Sequence, residues 1–144
     1  MFLGRYEHTL DEKNRMTIPS RFREQLAHGV VLSPGLDGCL WLYTPDEYEK
    51  IASRIDELPW TEPDSRKFVR AMYSGAIDMT PDKQGRIRIP EYLLDRAGIE
   101  SEVYIIGIHS KVEIWARDRW IEKQTSVEED PEGLAQQMTS YGVL

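Results

Sequence analysis

Two arginines, Arg15 and Arg86, each stand four residues after an aspartate, Asp11 and Asp82, within the segments DEKNRMTIP (11–19) and DKQGRIRIP (82–90). A guanidinium is planar and presents its donors as a fixed fork, so it can take two acceptors at once, such as O6 and N7 of a guanine. Aspartate has another chemistry: in turns its carboxylate accepts nearby backbone N–H groups, and aimed at a polyanion it would repel it. The motif therefore divides into Asp11 and Asp82 as turn-formers that pair with their arginines, and Arg15 and Arg86 as candidate base readers. Lys13 and Lys83 fall in the turns and Arg88 on the following strand, with Arg5, Arg21 and Arg23 nearby. These suit phosphate contacts better than base reading, and each alone is also an ordinary solvated charge.

No competing catalytic chemistry is spelled out. His8, His28 and His109 show no metal-ligand spacing with one another or with Cys39, and neither a nucleophile elbow nor a glycine-rich phosphate loop is present. The expectation is no enzyme, no metal, no cofactor and no small-molecule substrate. One cysteine cannot form an intrachain disulfide. The N-terminus lacks the apolar stretch of a signal peptide and no segment has the roughly 20 apolar residues of a membrane span, so a cytoplasmic protein without a membrane partner is expected.

The elements that must position the arginines come in duplicate. The two segments superpose without a gap at an offset of 71, Gly4, Glu7 and Thr9 pair with Gly75, Asp78 and Thr80, and a one-residue slip then pairs Gly35, Leu42, Tyr43 and Tyr48 with Gly107, Ile114, Trp115 and Trp120. In each copy a strand (6–10) leads into an Asp-x-x-Asn/Gly turn, whose last residue, Asn14 or Gly85, must tolerate positive φ. In the next strand Met16 and Ile18, or Ile87 and Ile89, face one way, while Arg15 and Thr17, or Arg86 and Arg88, face the other. The hairpin so predicted has one core face and one basic face.

Pro19 and Pro90 suit the first turn of a helix carrying Phe22 and Leu26, or Leu93 and Ala97, and stopping at Gly29 or Gly98. Two more strands follow in each copy (30–32 and 40–43; 103–106 and 112–115). Thr44, Pro45 and Glu47 make a capping box for a helix through Tyr48, Ile51, Ile55 and Leu58 that Pro59 ends, and Pro63 opens another whose Phe68 and Met72 are expected to face inward. The division expected is a first half (1–60), a connecting helix (61–73), a second half (74–125) and an acidic tail or packing arm (126–144). A half of about 70 residues buries too little surface to be stable alone, so the two should form one α+β unit about a pseudo-two-fold axis.

The net charge of −7 and a pI near 5.0 argue at first against nucleic acid. The distribution reverses that inference. Residues 122–144 hold five acidic residues and one basic, leaving 17 basic against 20 acidic elsewhere. Residues 1–23 net +2, and so does the group of Asp82, Lys83, Arg86 and Arg88.

The opening Met1, Phe2, Leu3 and Gly4, the paired D-x-x-x-R motifs and the R-x-x-Ile-Pro endings resemble the MraZ family of bacterial proteins from residue 1 to about residue 124. The resemblance implies two halves similar to the AbrB/MazE swapped-hairpin fold, forming one β-barrel-like unit with flanking helices. It implies a nucleoid-associated, DNA-binding transcriptional regulator that assembles into a ring-shaped homo-oligomer. Such a protein binds tandem repeats in double-stranded DNA upstream of its own division and cell-wall gene cluster, and is expected to repress it. Two departures matter: Asn14 stands where the family has glycine, and Arg88 where the first half has Thr17, so the halves need not contact DNA equally. The alternative is an antitoxin-like or scaffold module that binds a partner protein.

Overall fold

The alternation at 15–18 and 86–89 produces two short strands with apolar side chains on one face and charged ones on the other, yet neither strand pairs within its own repeat. A computed structural model describes residues 1–143. The first repeat contributes β1 (Phe2–Thr9), β2 (Arg15–Thr17), β3 (Val30–Pro34) and β4 (Leu40–Tyr43). The second contributes β5 (Ile77–Met79), β6 (Arg86–Arg88), β7 (Glu102–His109) and β8 (Val112–Ala116). Six strands form an antiparallel sheet ordered β1-β7-β8-β4-β3-β5, and β2 and β6 form a separate ribbon. Exchanging the repeats turns this order into its own mirror image: β1 on β7 answers β5 on β3, and the ribbon and the β4–β8 pair lie at the centre.

The local hairpin expected from the sequence is therefore corrected. Before the turn, β1 pairs along its whole length with β7, and after it β2 pairs with β6. A link between β1 and β2 remains where His8 Nδ1–H donates to the Thr17 carbonyl at 2.7 Å. β1 also begins four residues earlier than the alternation suggests, because Phe2 is an anchor buried against Phe22 rather than part of a visible pattern.

A 3₁₀ turn (Ser20–Phe22) and the short α1 (Arg23–Leu26) follow β2, and α4 (Glu91–Ala97) follows β6. Pro19 and Pro90 stand at the cap positions before these turns, one step earlier than expected. The core lies between the sheet and the ribbon: Met16, Ile18, Ile87 and Ile89 pack with Phe22, Leu26, Leu93 and the inward residues of β3, β4, β7 and β8. Full burial of such a side chain contributes about 1.5–3 kcal/mol, and both repeats must be present for it.

The opposite face of the sheet is covered by α2 (Pro45–Asp56), α3 (Pro63–Gly75) and α5 (Arg117–Glu129). Thr44 Oγ1 caps α2 by accepting from the Glu47 N–H at 3.2 Å. Where β4 meets β8, Trp41 lies opposite Glu113. The Glu113 carboxylate accepts the indole N–H of Trp41 at 3.0 Å and of Trp115 at 3.1 Å, and the Cys39 thiol at 3.4 Å. Burial and the Glu113 charge hold the Cys39 thiol above its usual range, which keeps it protonated and unreactive.

The acidic segment expected to fray or to pack as an arm is helical: α5 continues to Glu129, and α6 (Pro131–Met138) begins with Asp130 Oδ1 accepting the Gly133 N–H at 3.0 Å. Among the described residues, no helix is long and apolar enough to cross a membrane.

Because β1 and β5 find their partners only in the other repeat, a chain of residues 1–75 alone should not fold as a monomer. Circular dichroism with sedimentation analysis should show it unfolded or self-associated, and a cooperatively melting monomer would contradict the exchanged pairing.

Candidate nucleic-acid interface

Both repeats build the same turn. Asp11 Oδ1 accepts the backbone N–H of Lys13 and of Arg15, each at 2.9 Å, and Asp82 Oδ1 does the same with Gln84 and Arg86, also at 2.9 Å. Asn14 and Gly85 close the turns with φ of 58° and 75°. Asn14 tolerates that conformation because its short polar side chain suits the left-handed region. At the second turn a Cβ on Gly85 would lie 2.8 Å from Arg23 Nε. The two turn carbonyls are not spare: Asn14 O accepts from Ile89 N–H at 3.0 Å and Gly85 O from Ile18 N–H at 2.8 Å, so each turn extends the ribbon of the opposite repeat.

The second aspartate oxygen holds the arginine. Arg15 Nε donates to Asp11 Oδ2 at 2.6 Å, and Arg86 Nε to Asp82 Oδ2 at 2.8 Å. Both arginines are half-buried, and among the described residues their Nη groups make no hydrogen bond. The pair orients the guanidinium while leaving its outer edge free to donate, which is what bidentate reading of a planar acceptor requires.

The ribbon register joins side chains that the sequence separates. Arg15 lies opposite Arg88, Met16 opposite Ile87, and Thr17 opposite Arg86. Directly opposed residues share a face, so Arg15, Arg86 and Arg88 project together from the outer surface while Met16 and Ile87 enter the core. That Arg88 neighbours Arg15, not its sequence neighbour's turn, was hidden in the sequence. The signal that reveals it is the cross-repeat pairing, which no local pattern encodes.

The other basic residues divide. Lys13 and Lys83 are exposed in the two turns beside the arginines, and Arg21 is exposed on the 3₁₀ turn. Arg23 is less free than expected: its Nε donates to the Ile18 carbonyl at 3.0 Å and its stem packs over Gly85. Arg5 is not near the ribbon. On β1, Tyr6 contacts Phe22 and His8 reaches Thr17 on the ribbon side, so strand alternation turns Arg5 to the other face, beside Tyr104, Trp120 and Gln124. No group of three or more His, Cys, Asp or Glu side chains that could hold a metal occurs among the described residues.

The family model described as "MraZ protein, putative antitoxin-like" matches the chain twice, over residues 1–71 and 72–139. The chain belongs to the MraZ family. It is 41% identical over 144 residues to a protein of Clostridium acetobutylicum, covering 99% of this chain and all of the relative. It is 43% identical over 143 residues to one of Clostridium botulinum, with 99% and 100% covered, and 49% identical over 120 residues to one of Pelotomaculum thermopropionicum, with 83% of each covered. All three relatives are named "Transcriptional regulator MraZ". The two matches to the MraZ family meet between residues 71 and 72, so each contains one complete Asp/Arg turn.

The turn has an electrostatic signature. The Arg15 backbone N–H, then the Arg15 guanidinium and the Lys13 N–H, lower the Asp11 carboxyl below its ordinary pKa of 3.8; Arg86 and Gln84 do the same for Asp82. Since the folded-state pKa is depressed, the stabilisation is fully present above the ordinary carboxylate value and is lost as pH falls through the lowered one. Amide exchange at Lys13 and Arg15, followed from pH 5 downward, should show the turn opening only below about pH 4. In Asp11→Asn with Asp82→Asn, that acid-dependent step should disappear. If the double variant opened with the same pH profile as the parent, the carboxylates would not be what holds the turns.

Proposed function

We propose that this chain is a sequence-specific DNA-binding regulator of transcription that reads the DNA major groove with the β2–β6 ribbon. The observation that carries the reading is the outer face of that ribbon: three guanidiniums on two three-residue strands, two of them held by aspartates through Nε with their remaining donors outward. Like charges directly opposite each other cost stability in a sheet, so a surface holding Arg15 against Arg88 is built for an anion. A two-stranded ribbon has the width to enter the major groove, where a guanidinium distinguishes guanine by O6 and N7. The name carried by the relatives, transcriptional regulator, agrees with that use.

The remaining parts follow the same reading. Lys13, Lys83 and Arg21 neutralise phosphates on either side, while Arg23 and Asp11, Asp82, Asn14 and Gly85 shape the turns. The exchanged strands support an AbrB/MazE-like swapped-hairpin unit, barrel-like around the core between ribbon and sheet. One such patch binds weakly. Assembly into a ring on tandem repeats upstream of the chain's own division and cell-wall genes raises the effective concentration of each further patch, and occupancy there represses them. Residues 122–144, which net −4 of the −7, carry negative charge away from the ribbon and limit indiscriminate binding. The protein then works in the cytoplasm, on the nucleoid.

The test is a gel-shift titration on the chain's own upstream fragment. Arg15→Ala with Arg86→Ala removes two bidentate contacts and should weaken binding by about a hundredfold or more, with the oligomer size unchanged by light scattering. Undiminished affinity in an intact oligomer would remove the ribbon from the interface.

A further inference from the structure

We infer that Arg88 is a specificity-determining residue that makes the two ends of the ribbon read different base pairs, so that the unit bound by one chain is directional. The inference rests on the DNA-reading role proposed above and goes beyond it. Thr17 and Arg88 occupy equivalent places in the two repeats. In a ribbon of identical repeats, each end would carry one anchored arginine opposite one copy of that residue. Here the end at the first turn presents Arg15 beside Arg88, and the end at the second turn presents Arg86 beside Thr17.

The two ends differ in what they can donate. At the first, Arg15 is fixed by Asp11, whereas Arg88 is exposed and has no hydrogen-bonding or ion-pair partner among the described residues, so its full fork is available. Two adjacent forks suit two successive acceptor-rich base pairs. At the second, the anchored Arg86 can take one guanine, while Thr17 is half-buried with a short hydroxyl that carries little discrimination. Arg23 does not stand in for a second ribbon arginine: it lies off the ribbon on α1, its stem over Gly85 and its Nε on the Ile18 carbonyl. Asp11 offsets part of the repulsion between Arg15 and Arg88, and acceptor groups bound between the two forks would offset the rest.

The test selects bound sequences from a randomised double-stranded DNA library, followed by competition binding of single-base variants, for the full-length wild type, Arg88→Thr and Thr17→Arg. The wild type should enrich a non-palindromic unit. Arg88→Thr should lose about tenfold of discrimination at base pairs under one end of the ribbon and keep it under the other. Thr17→Arg should gain a matching preference at the opposite end. Removing one of two opposed arginines relieves repulsion, so Arg88→Thr should melt no lower than the wild type.

Three results would overturn the inference while leaving the DNA reading intact. They are a palindromic wild-type unit, the same unit from Arg88→Thr as from the wild type, and a uniform weakening over all sequences with a shallower salt dependence, the mark of a phosphate contact only. If the wild type enriches nothing, the DNA-reading role falls and this inference with it.

Discussion

Everything in this molecule depends on strands that are satisfied only across the repeat boundary. A β-strand presents backbone donors and acceptors on both edges, and burying them unpaired is costly. β1 solves this with β7 and β5 with β3, while β2 and β6 solve it with each other. The turns take part: the carbonyls of Asn14 and Gly85 are acceptors for the opposite repeat, so a backbone conformation chosen locally also fastens the two halves. The Asp–Arg pairs then act on a platform that is already rigid. Being only half-buried, they add little to stability as ion pairs, and their effect is to fix where two guanidiniums point.

Rigidity matters because an arginine left free must lose rotamer entropy when it binds. Arg15 and Arg86 have lost much of it before any partner arrives, through one bond from Nε to an aspartate that is itself tied to two backbone N–H groups. Arg88 has no such anchor among the described residues, and the contrast places a held and an unanchored guanidinium side by side on the same face. Met16 and Ile87 beneath them are fully buried, so the ribbon cannot tilt to accommodate a poor fit without disturbing the core.

Local chemistry was readable from the residues, and non-local pairing was not. The spacing of Asp11 and Arg15 implies the turn that forms, because its bonds span at most four residues. The faces of β2 and β6 follow from alternation in the same way. Alternation says which way a side chain points but not which strand lies alongside, so the expected hairpin gave way to exchanged partners. Arg5 illustrates the cost: close to the motif in sequence, it is separated from it by the thickness of a sheet, since neighbouring residues on a strand face opposite sides. The duplication supplied what local patterns lacked, since a repeated unit too small to stand alone implies that the two copies pair.

Trp41 and Glu113 stand at equivalent places in the two repeats and face each other across the centre of the sheet, an indole donating to a carboxylate. Two separate copies of the first half would bring indole against indole there, and two copies of the second half would set carboxylate against carboxylate. Neither arrangement forms this bond. The seam therefore fits two unlike halves and neither pair of like ones. Each half needs the other's residue at their shared axis, so a version built from two identical halves would require both sides of the seam to change together.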